Sequence, residues 1–256
     1  MKPFYRYLGG KTRELKNFID LIPEYTLYVE PFFGGGAVFW HLEPEHAIIN
    51  DSDQMLMEFL KTVQLFPEVF DDVVHNWPCT KENFLEIRDN WVSQGKLSDI
   101  KRYFYFLRTS FNGYLRYNSK KQRYNMSFGN KKVITPIPSE NQALLKNASI
   151  YSTDFKEIFK TFDKEDAFFF LDPPYDGLFS YLYDGADKSG TRVILEDLKK
   201  IMTSCKAKCL MTVGATPFTE SLFEGMVKRR YSTKHTFGAH CKDKNLSTET
   251  LVITNY

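Results

Sequence analysis

The chain has 256 residues, of which 43% are apolar and 26% are charged, as in ordinary globular proteins. This composition argues against a disordered or collagen-like chain, and no apolar run approaches the roughly 18 residues that a membrane span needs. The first residues lack the apolar segment of a secretion signal. Four cysteines do not make a disulfide scaffold, so we expect a protein of the reducing cytoplasm.

The net charge of +2 hides an uneven distribution along the chain. Residues 100–135 contain nine basic and nine aromatic residues but no Asp or Glu. The basic ones are Lys101, Arg102, Arg108, Arg116, Lys120, Lys121, Arg123, Lys131 and Lys132. Such a segment is typical of proteins that bind a polyanion carrying flat bases, as nucleic acids do. The alternative is a solvated basic face above a small aromatic core.

The first quarter of the chain alternates helical and extended patterns. Apolar spacing predicts a helix over Thr12–Leu21, and short β-type runs predict strands at Thr26–Glu30 and Ala47–Asp51. A helix is expected after each strand, at Ala37–Leu42 and near Asp53–Leu65. This order is typical of a parallel sheet with right-handed crossovers.

The middle of the chain lacks this alternation. Helical periodicity runs from about Pro67 to Phe111, with Thr80 as the N-cap of a helix over Asn83–Val92, and residues 112–138 have the composition of a loop or hairpin. The alternation then returns. We predict strands at Ala148–Ser152, Ala167–Leu171 and Lys208–Val213, helices at Phe155–Phe162 and Ile194–Cys205, and a closing β-rich pair at Val227–Thr236 and Glu249–Thr254.

These patterns predict a doubly wound α/β fold whose sheet is mostly parallel and ends in a C-terminal antiparallel hairpin. Residues 1–56 and 147–256 would form this domain. Residues 57–146 would form an inserted domain of helices and loops.

A glycine-rich turn, Glu30-Pro-Phe-Phe-Gly-Gly-Gly36, connects a predicted strand to a predicted helix. Its glycines would let the backbone approach a ligand, and the following helix presents free N–H groups. Asp51 ends the next strand, where a carboxylate can accept both hydroxyls of a ribose. Phe39 stands where a dinucleotide fingerprint needs Gly or Ala, which disfavours NAD and FAD but leaves a nucleoside without pyrophosphate. A purely structural turn is the alternative.

Gly9-Gly-Lys-Thr12 is similar to the end of a phosphate-binding loop. However, Tyr5 occupies the place of the first required glycine, and no strand precedes the segment. Hydrolysis of a nucleoside triphosphate is therefore disfavoured.

The most informative segment is Asp172-Pro-Pro-Tyr175, which directly follows the apolar run Ala167–Leu171. A Pro-Pro pair cannot continue a central strand, so it fixes a rigid loop at the carboxyl end of the sheet, where ligands bind in open α/β folds. Asp172 and the carbonyl of Pro173 offer two acceptors to an exocyclic amine, which favour positive charge on its nitrogen during attack. Tyr175 offers a ring on which a base can stack once it has left its duplex. The alternative is a turn without chemistry.

Together these motifs resemble the Dam-type (D12 class, α group) DNA adenine-N6 methyltransferases over nearly the whole chain. The matching segments are Tyr7-Leu-Gly-Gly-Lys11, Val29-Glu-Pro-Phe-Phe-Gly-Gly-Gly36, Asn50-Asp51, Asp172-Pro-Pro-Tyr175 and Thr248-Glu-Thr-Leu-Val-Ile-Thr-Asn-Tyr256. The resemblance implies a Rossmann-like methyltransferase fold with S-adenosylmethionine as methyl donor. It also implies double-stranded DNA as substrate, with transfer to N6 of a flipped adenine.

The resemblance also assigns individual residues. The catalytic loop would consist of Asp172, Pro173, Pro174 and Tyr175. The cofactor would be bound by Tyr7, Gly10, Lys11, Glu30, Phe32, Gly34, Gly36, Asp51, Asp154 and Asp172. In that set, Lys11 can pair with the methionine carboxylate, and Phe32 can flank the sulfonium. No metal site is expected.

The insert resembles the family's DNA-recognition region through Phe111-Asn-Gly-Tyr-Leu-Arg-Tyr-Asn118 and Tyr124-Asn-Met-Ser-Phe-Gly129. In the family, a residue at the place of Phe111 wedges into the duplex, and one at Arg116 reads a guanine. The expected DNA-binding residues are Arg108, Phe111, Asn112, Arg116, Asn118, Lys120, Lys121, Arg123, Asn125 and Lys131. GATC is the expected target, although Gln122, Tyr124 and Ser127 depart from the usual Gly, Phe and Pro and leave other targets open.

Two other functions stay open from the sequence. An RNA adenine methyltransferase could use the same catalytic loop, and a catalytically silent DNA-binding module could keep the same fold. A cognate restriction endonuclease is a candidate partner, and no membrane is expected; the setting would be a prokaryotic cell or a phage-infected host.

Three further segments contain residue types that can bind a metal, act as a nucleophile or cover a site. Cys205-x-x-x-Cys209 lacks two more ligands at zinc spacing, and the pair His240-Cys241 has no orienting partner in the sequence. Residues 181–190 could form a lid over the flipped base or an ordinary loop.

Overall fold

The computed structural model describes residues 1–7, 9–118, 123–175, 188–234 and 247–256. In chain order, its strands and α-helices are β1 (Leu27–Glu30), α1 (Ala37–Leu42), β2 (Ala47–Asn50), α2 (Gln54–Leu65), α3 (Asp71–Asn76), α4 (Lys81–Asp89), α5 (Lys96–Thr109), β3 (Tyr117–Asn118), β4 (Arg123–Tyr124), α6 (Ser139–Leu145), β5 (Ala148–Tyr151), α7 (Phe155–Phe162), β6 (Ala167–Leu171), α8 (Lys188–Ser204), β7 (Lys208–Gly214), α9 (Pro217–Leu222), β8 (Val227–Lys234) and β9 (Ser247–Thr254).

Two compact units make up the chain, and each is described by itself. The first unit contains Met1–Thr12 and Phe33–Asp154, and the second contains Arg13–Phe32 and Phe155–Tyr256. These units reflect compactness rather than function. The predicted division into a domain of residues 1–56 and 147–256 and an insert of residues 57–146 therefore stays a prediction.

In the first unit, β2 pairs in parallel with β5, from Ala47 opposite Ala148 to Asn50 opposite Tyr151. Asn50 is buried and fixes the carboxyl end of this pair through its side-chain amide. The amide donates to the carbonyl of Thr153 at 3.1 Å and accepts the N–H of Thr153 at 2.9 Å. The residue after Asn50 is thereby held in a defined place.

The helices of the first unit pack around an aromatic core. The fully buried ring of Phe59 on α2 has its centroid 5.9 Å from that of Phe104 on α5 and 5.4 Å from that of Phe70. Thr80 is the N-cap of α4, as predicted, because its hydroxyl accepts the N–H of Asn83 at 3.2 Å. This helix ends at Asp89 rather than at Val92.

In the second unit, β6 lies between β1 and β7 and pairs in parallel with both. All five residues of β6 are buried, which explains its uninterrupted apolar sequence. β9 pairs antiparallel with β7, and β8 pairs antiparallel with β9. The pairings in the two units confirm the expected mostly parallel α/β fold with a C-terminal antiparallel pair.

One predicted helix is wrong. Residues Thr12–Leu21 form three short 3₁₀ turns at Lys11–Arg13, Leu15–Asn17 and Ile19–Leu21 instead of an α-helix. Phe18, with φ at −148°, interrupts the helical backbone. This backbone accommodates its fully buried ring, which stacks on the ring of Phe170 with centroids 5.5 Å apart.

Two short helices, α6 and α9, were not predicted. α9 begins at a capping box in which Thr216 and Thr219 exchange hydrogen bonds, followed by Pro217 at its first position. No helix in the described ranges is long and apolar enough to cross a membrane.

Candidate functional site

The glycine-rich turn has a backbone that only glycine adopts readily. Gly34 and Gly36 have φ values of 46° and 60°, in the left-handed region. A Cβ atom at Gly36 would lie 2.3 Å from the ring of Phe33, and one at Gly34 would lie 3.2 Å from the ring of Tyr7. The turn therefore has no room for a side chain at Gly36 and little at Gly34, and the ring of Tyr7 packs directly against it.

Asp51 holds this turn at the end of β2. Its Oδ2 accepts the N–H of Gly34 at 2.8 Å, and its Oδ1 accepts the N–H of Asp53 at 2.9 Å. Burial raises the pKa of the Asp51 carboxyl, and the two N–H groups act in the opposite direction. A carboxylate has about four lone-pair positions, so these two bonds leave acceptor capacity for ligand hydroxyls. The backbone role of Asp51 was not anticipated.

A second carboxylate, that of Asp53, accepts hydrogen bonds from two tyrosine side chains. Its Oδ2 accepts the hydroxyl of Tyr7 at 3.3 Å and that of Tyr103 at 3.2 Å, while its Oδ1 caps α2 through the N–H of Leu56. Tyr103 lies on α5, so this cluster connects the N-terminal motif to the predicted insert. Sequence reasoning missed the cluster, although a helix starting near Asp53 was expected.

The other predicted cofactor residues of the first unit lie in different environments. Lys11 is buried, with only 6% of its surface exposed. The N–H of Gly10 donates to the carbonyl of Tyr7 at 3.2 Å, whereas Asp154 is exposed. The contacts named here bring Tyr7, Gly10, Gly34 and Asp51 together.

The second unit contains the predicted cofactor residues Glu30 and Phe32. Glu30 is buried, with 2% exposure, and accepts the hydroxyl of Tyr28 at 2.7 Å. Burial, reinforced by the charge of Glu30, raises the pKa of Tyr28 well above its ordinary value. The ring of Phe32 lies 5.2 Å from that of Phe155.

The Asp-Pro-Pro-Tyr loop also lies in the second unit and is positioned by the neighbouring strand. Leu171 at the end of β6 pairs with Met211 of β7, so Asp172 comes beside Thr212. The fully buried Thr212 donates its hydroxyl to Oδ1 of Asp172 at 2.9 Å. This hydrogen bond fixes the orientation of a carboxylate that is itself only partly buried.

Tyr175 depends on the same strand. A Cβ atom at Gly214, the last residue of β7, would lie 3.3 Å from Cδ2 of Tyr175. The ring therefore packs against a bare stretch of backbone. Sequence reasoning missed Thr212 and Gly214, and the signal that could have found Thr212 is a polar residue inside the otherwise apolar run Cys209–Val213.

Comparison with known proteins identifies the family of this chain. The model of the family "D12 class N6 adenine-specific DNA methyltransferase" matches residues 7–238. This chain belongs to that family. It is a DNA methyltransferase that modifies adenine at N6, which confirms the resemblance drawn from its motifs.

Curated relatives agree with this assignment along the whole length. The methyltransferase is 33% identical to the type II methyltransferase M.CviBI of Paramecium bursaria Chlorella virus NC1A, with 100% of both chains covered. It is 31% identical to the type II methyltransferase M1.LlaDCHI of Lactococcus lactis subsp. cremoris, covering 100% of this chain and 96% of the relative. It is also 24% identical to a DNA adenine methylase of Vibrio cholerae, with 98% and 95% covered.

The structure brings together the two segments that carry the predicted DNA-recognition motif. Phe111 donates its N–H to the carbonyl of Ser127 at 2.9 Å, and Gly129 donates its N–H to that of Thr109 at 2.7 Å. The side chain of Phe111 remains 50% exposed, although it is a large apolar residue. Asn112 is also exposed, and its side-chain oxygen accepts a hydrogen bond from Arg6 at 3.4 Å.

A hairpin of two short strands, β3 and β4, joins the end of one of these segments to the start of the other. Tyr117 of β3 pairs with Tyr124 of β4, and Asn118 pairs with Arg123. The carbonyl of Arg116 accepts the N–H of Asn125 at 2.9 Å. Several predicted DNA-binding side chains are exposed here, namely Arg116, Arg123 and Asn125. Asn118 and Lys131 are partly buried, and Lys120 and Lys121 lie outside the described residues.

Arg108 differs from these exposed residues. Its guanidinium donates to the carbonyl of Phe4 and, at 2.8 Å, to that of Pro136, and burial lowers the pKa of Arg108 to about 10. A count of basic residues in the sequence does not separate such a residue from those that face solvent.

Of the three further segments named from the sequence, the structure describes the Cys205–Cys209 pair and part of residues 181–190. Residues 181–187 and the pair His240-Cys241 lie outside the described residues, whereas residues 188–190 begin α8. The thiols of Cys205 and Cys209 lie 3.6 Å apart.

Proposed function

We propose that this methyltransferase is a site-specific enzyme that uses S-adenosylmethionine and methylates an adenine flipped out of duplex DNA. The observation that carries the proposal is the Asp172 carboxylate, held by Thr212 at the end of β6 and followed by two prolines and Tyr175. The proposed catalytic residues are Asp172, Pro173, Pro174 and Tyr175.

The chemistry of the first unit's residues fits S-adenosylmethionine. Asp51 ends β2 beside the glycine turn and keeps acceptor capacity for the two ribose hydroxyls. We assign the cofactor to Tyr7, Gly10, Lys11, Gly34, Gly36, Asp51 and Asp154, and, on the family resemblance, to Glu30, Phe32 and Asp172. When bound, it supplies an activated methyl group. Lys11 would pair with its carboxylate.

In the proposed reaction, Asp172 and the carbonyl of Pro173 accept the two N–H groups of the adenine amine. The lone pair of this amine is delocalised into the ring, and both acceptors favour the positive charge that develops when nitrogen attacks the methyl carbon. As the nitrogen–carbon bond forms, the carbon–sulfur bond would break and S-adenosylhomocysteine would leave. The extra proton on the methylated nitrogen would then pass to solvent through the Asp172 carboxylate. Thr212 contributes by preorganising Asp172, and Tyr175 by stacking on the extruded base.

In the proposed DNA complex, Phe111 inserts into the duplex, and Arg116 donates to a guanine. An exposed phenylalanine beside exposed arginines suits a protein that unstacks bases and contacts phosphates. The further proposed contacts are Asn112, Asn118, Lys120, Lys121, Arg123, Asn125 and Lys131. Arg108 is left out because its guanidinium donates to the carbonyls of Phe4 and Pro136. We propose GATC as the target, the cytoplasm of a prokaryotic or phage-infected cell as the setting, and a cognate restriction endonuclease as partner, as the type II names of two relatives suggest.

The test is transfer of a labelled methyl group from S-adenosylmethionine to matched substrates. These are a duplex with one GATC site, the same duplex with one base pair of the site changed, and an RNA hairpin of the same sequence. We expect N6-methyladenine in the GATC duplex alone. Equal labelling of both duplexes would overturn the proposed target, label confined to RNA would overturn the proposed polymer, and absence of binding to S-adenosylmethionine by calorimetry would overturn the proposed donor.

A further inference from the structure

Arg102 on α5 is partly buried among aromatic rings. Its guanidinium carbon lies 5.1 Å from the ring centroid of Tyr124, 5.3 Å from that of Phe106 and 5.5 Å from that of Trp91. A guanidinium within about 6 Å of a ring face is attracted by the electrons of the ring. Arg102 therefore combines charge with three aromatic contacts.

The hydrogen bonds of Arg102 also point inward. Nη2 donates to the carbonyl of Arg88 on α4 at 3.1 Å, and Nε is buried without a hydrogen-bond partner in the described part of the chain. Burial lowers the pKa of Arg102. Arginine nevertheless stays charged at neutral pH. The chain therefore has a cation at a position that an apolar side chain could also fill.

The ring closest to Arg102 is that of Tyr124. It belongs to the hairpin of β3 and β4, which we call the recognition hairpin. Tyr124 pairs with Tyr117 across β3 and β4, with ring centroids 5.2 Å apart. A two-stranded hairpin is marginally stable in water by itself, and the described residues of this one form two pairs. Packing against the helices must therefore supply much of its stability.

Arg88 supports the same segment from α4. Its Nη1 donates to the carbonyl of Met126 at 2.9 Å, two residues after β4. Arg102 is thus joined both to the hairpin, through Tyr124, and to the helix that contacts the segment after β4, through Arg88. Arg116, directly before Tyr117, lies at this same end of the hairpin, because its carbonyl accepts the N–H of Asn125 at 2.9 Å.

We propose that Arg102 is a positioning residue for target recognition. It fixes the recognition hairpin on α4 and α5 and thereby orients Arg116 and Arg123 without contacting DNA itself. This inference rests on the proposed role of the hairpin in DNA recognition.

The test compares Arg102→Met and Arg102→Lys with Lys101→Met. Lys101 is the matched control because it lies on the same helix, carries the same charge and pairs with Asp72 of α3 at 3.1 Å. Binding to cognate and one-base-changed duplexes is measured by fluorescence anisotropy over a range of salt concentrations. Values of kcat and KM for methyl transfer are measured in parallel.

We expect Arg102→Met to lower discrimination between the two duplexes about tenfold and to raise KM for DNA, with the salt slope of nonspecific binding unchanged. Arg102→Lys keeps the charge but loses the planar group that stacks, so it should show an intermediate loss. Lys101→Met should discriminate as the wild type does. Affinity for S-adenosylhomocysteine should be unchanged in all three variants.

A second variant guards against misfolding of Arg102→Met. Tyr124→Leu removes the ring from the other side of the contact, and it should lower discrimination to the same extent; the double variant should be no worse than either single one. Additive losses in the double variant would overturn the proposal. So would unchanged discrimination in Arg102→Met, or a fall of its salt slope by about one, which would identify a phosphate contact. If the wild type itself fails to bind duplex DNA, the proposed role of the hairpin fails instead.

Discussion

Replacing Thr212 with valine tests how the catalytic carboxylate is held. The two side chains have nearly the same shape, and Thr212 is fully buried in β7, so the main loss is the hydroxyl that donates to Asp172 at 2.9 Å. A hydrogen bond to a charged group contributes about 1.5–3 kcal/mol. Only the part of this free energy that stabilises the transition state more than the ground state affects the rate. If that part is the whole, loss of the bond lowers the rate of transfer by about 10- to 150-fold.

Single-turnover methyl transfer with saturating DNA and cofactor measures this effect. Thr212→Ser is the matched control because it keeps the hydroxyl and removes only a methyl group, which contributes about 0.8 kcal/mol of burial. We expect the serine variant to stay within a few-fold of the wild-type rate, with binding of S-adenosylhomocysteine nearly unchanged in both variants. Equal rates for wild type and Thr212→Val would refute the reasoning, and equal impairment of both variants would attribute the effect to packing.

Three other substitutions have defined expectations. Gly214→Ala places a Cβ atom 3.3 Å from Tyr175, so the ring must shift by a few tenths of an ångström; kcat should fall about three- to tenfold while KM for the cofactor stays the same. Tyr103→Phe removes one of the two hydroxyls that donate to Asp53, so urea denaturation should give a free energy of unfolding lower by about 1 kcal/mol. Thr80→Ala removes the N-cap of α4 and should lower the same quantity by about 1 kcal/mol without changing the rate of transfer. An unchanged kcat in Gly214→Ala, or unchanged stability in either of the other variants, would contradict the contact concerned.

The parts of the fold that were predicted correctly have strong local causes. The buried run Ala167–Leu171 and the cap at Thr80 both reflect physics that acts within a few residues. The segment Thr12–Leu21 has helical apolar spacing, but that spacing does not distinguish an α-helix from successive 3₁₀ turns. Here the burial of Phe18 against Phe170, far along the chain, decided the backbone.

The candidate site also combines features with local causes and features that depend on residues far apart in the sequence. Gly34 and Gly36 were predicted as site residues because they belong to a glycine-rich turn between a strand and a helix, and Asp172 because it precedes two prolines at the end of an apolar strand. Both assignments stay predictions. Thr212 and Tyr103 were missed because their roles depend on strand register and helix packing, which join residues 40 and 50 positions apart.

The most direct test of the account is methyl transfer by Asp172→Ala. Wild type and variant would be compared in single turnover on the same duplex, with donor binding measured by calorimetry. We expect the rate of transfer to fall at least about a hundredfold while donor affinity falls much less, because the carboxylate acts mainly on the charge that develops at the amine. A variant that transfers methyl groups at the wild-type rate would contradict the role given to Asp172 and to the loop around it.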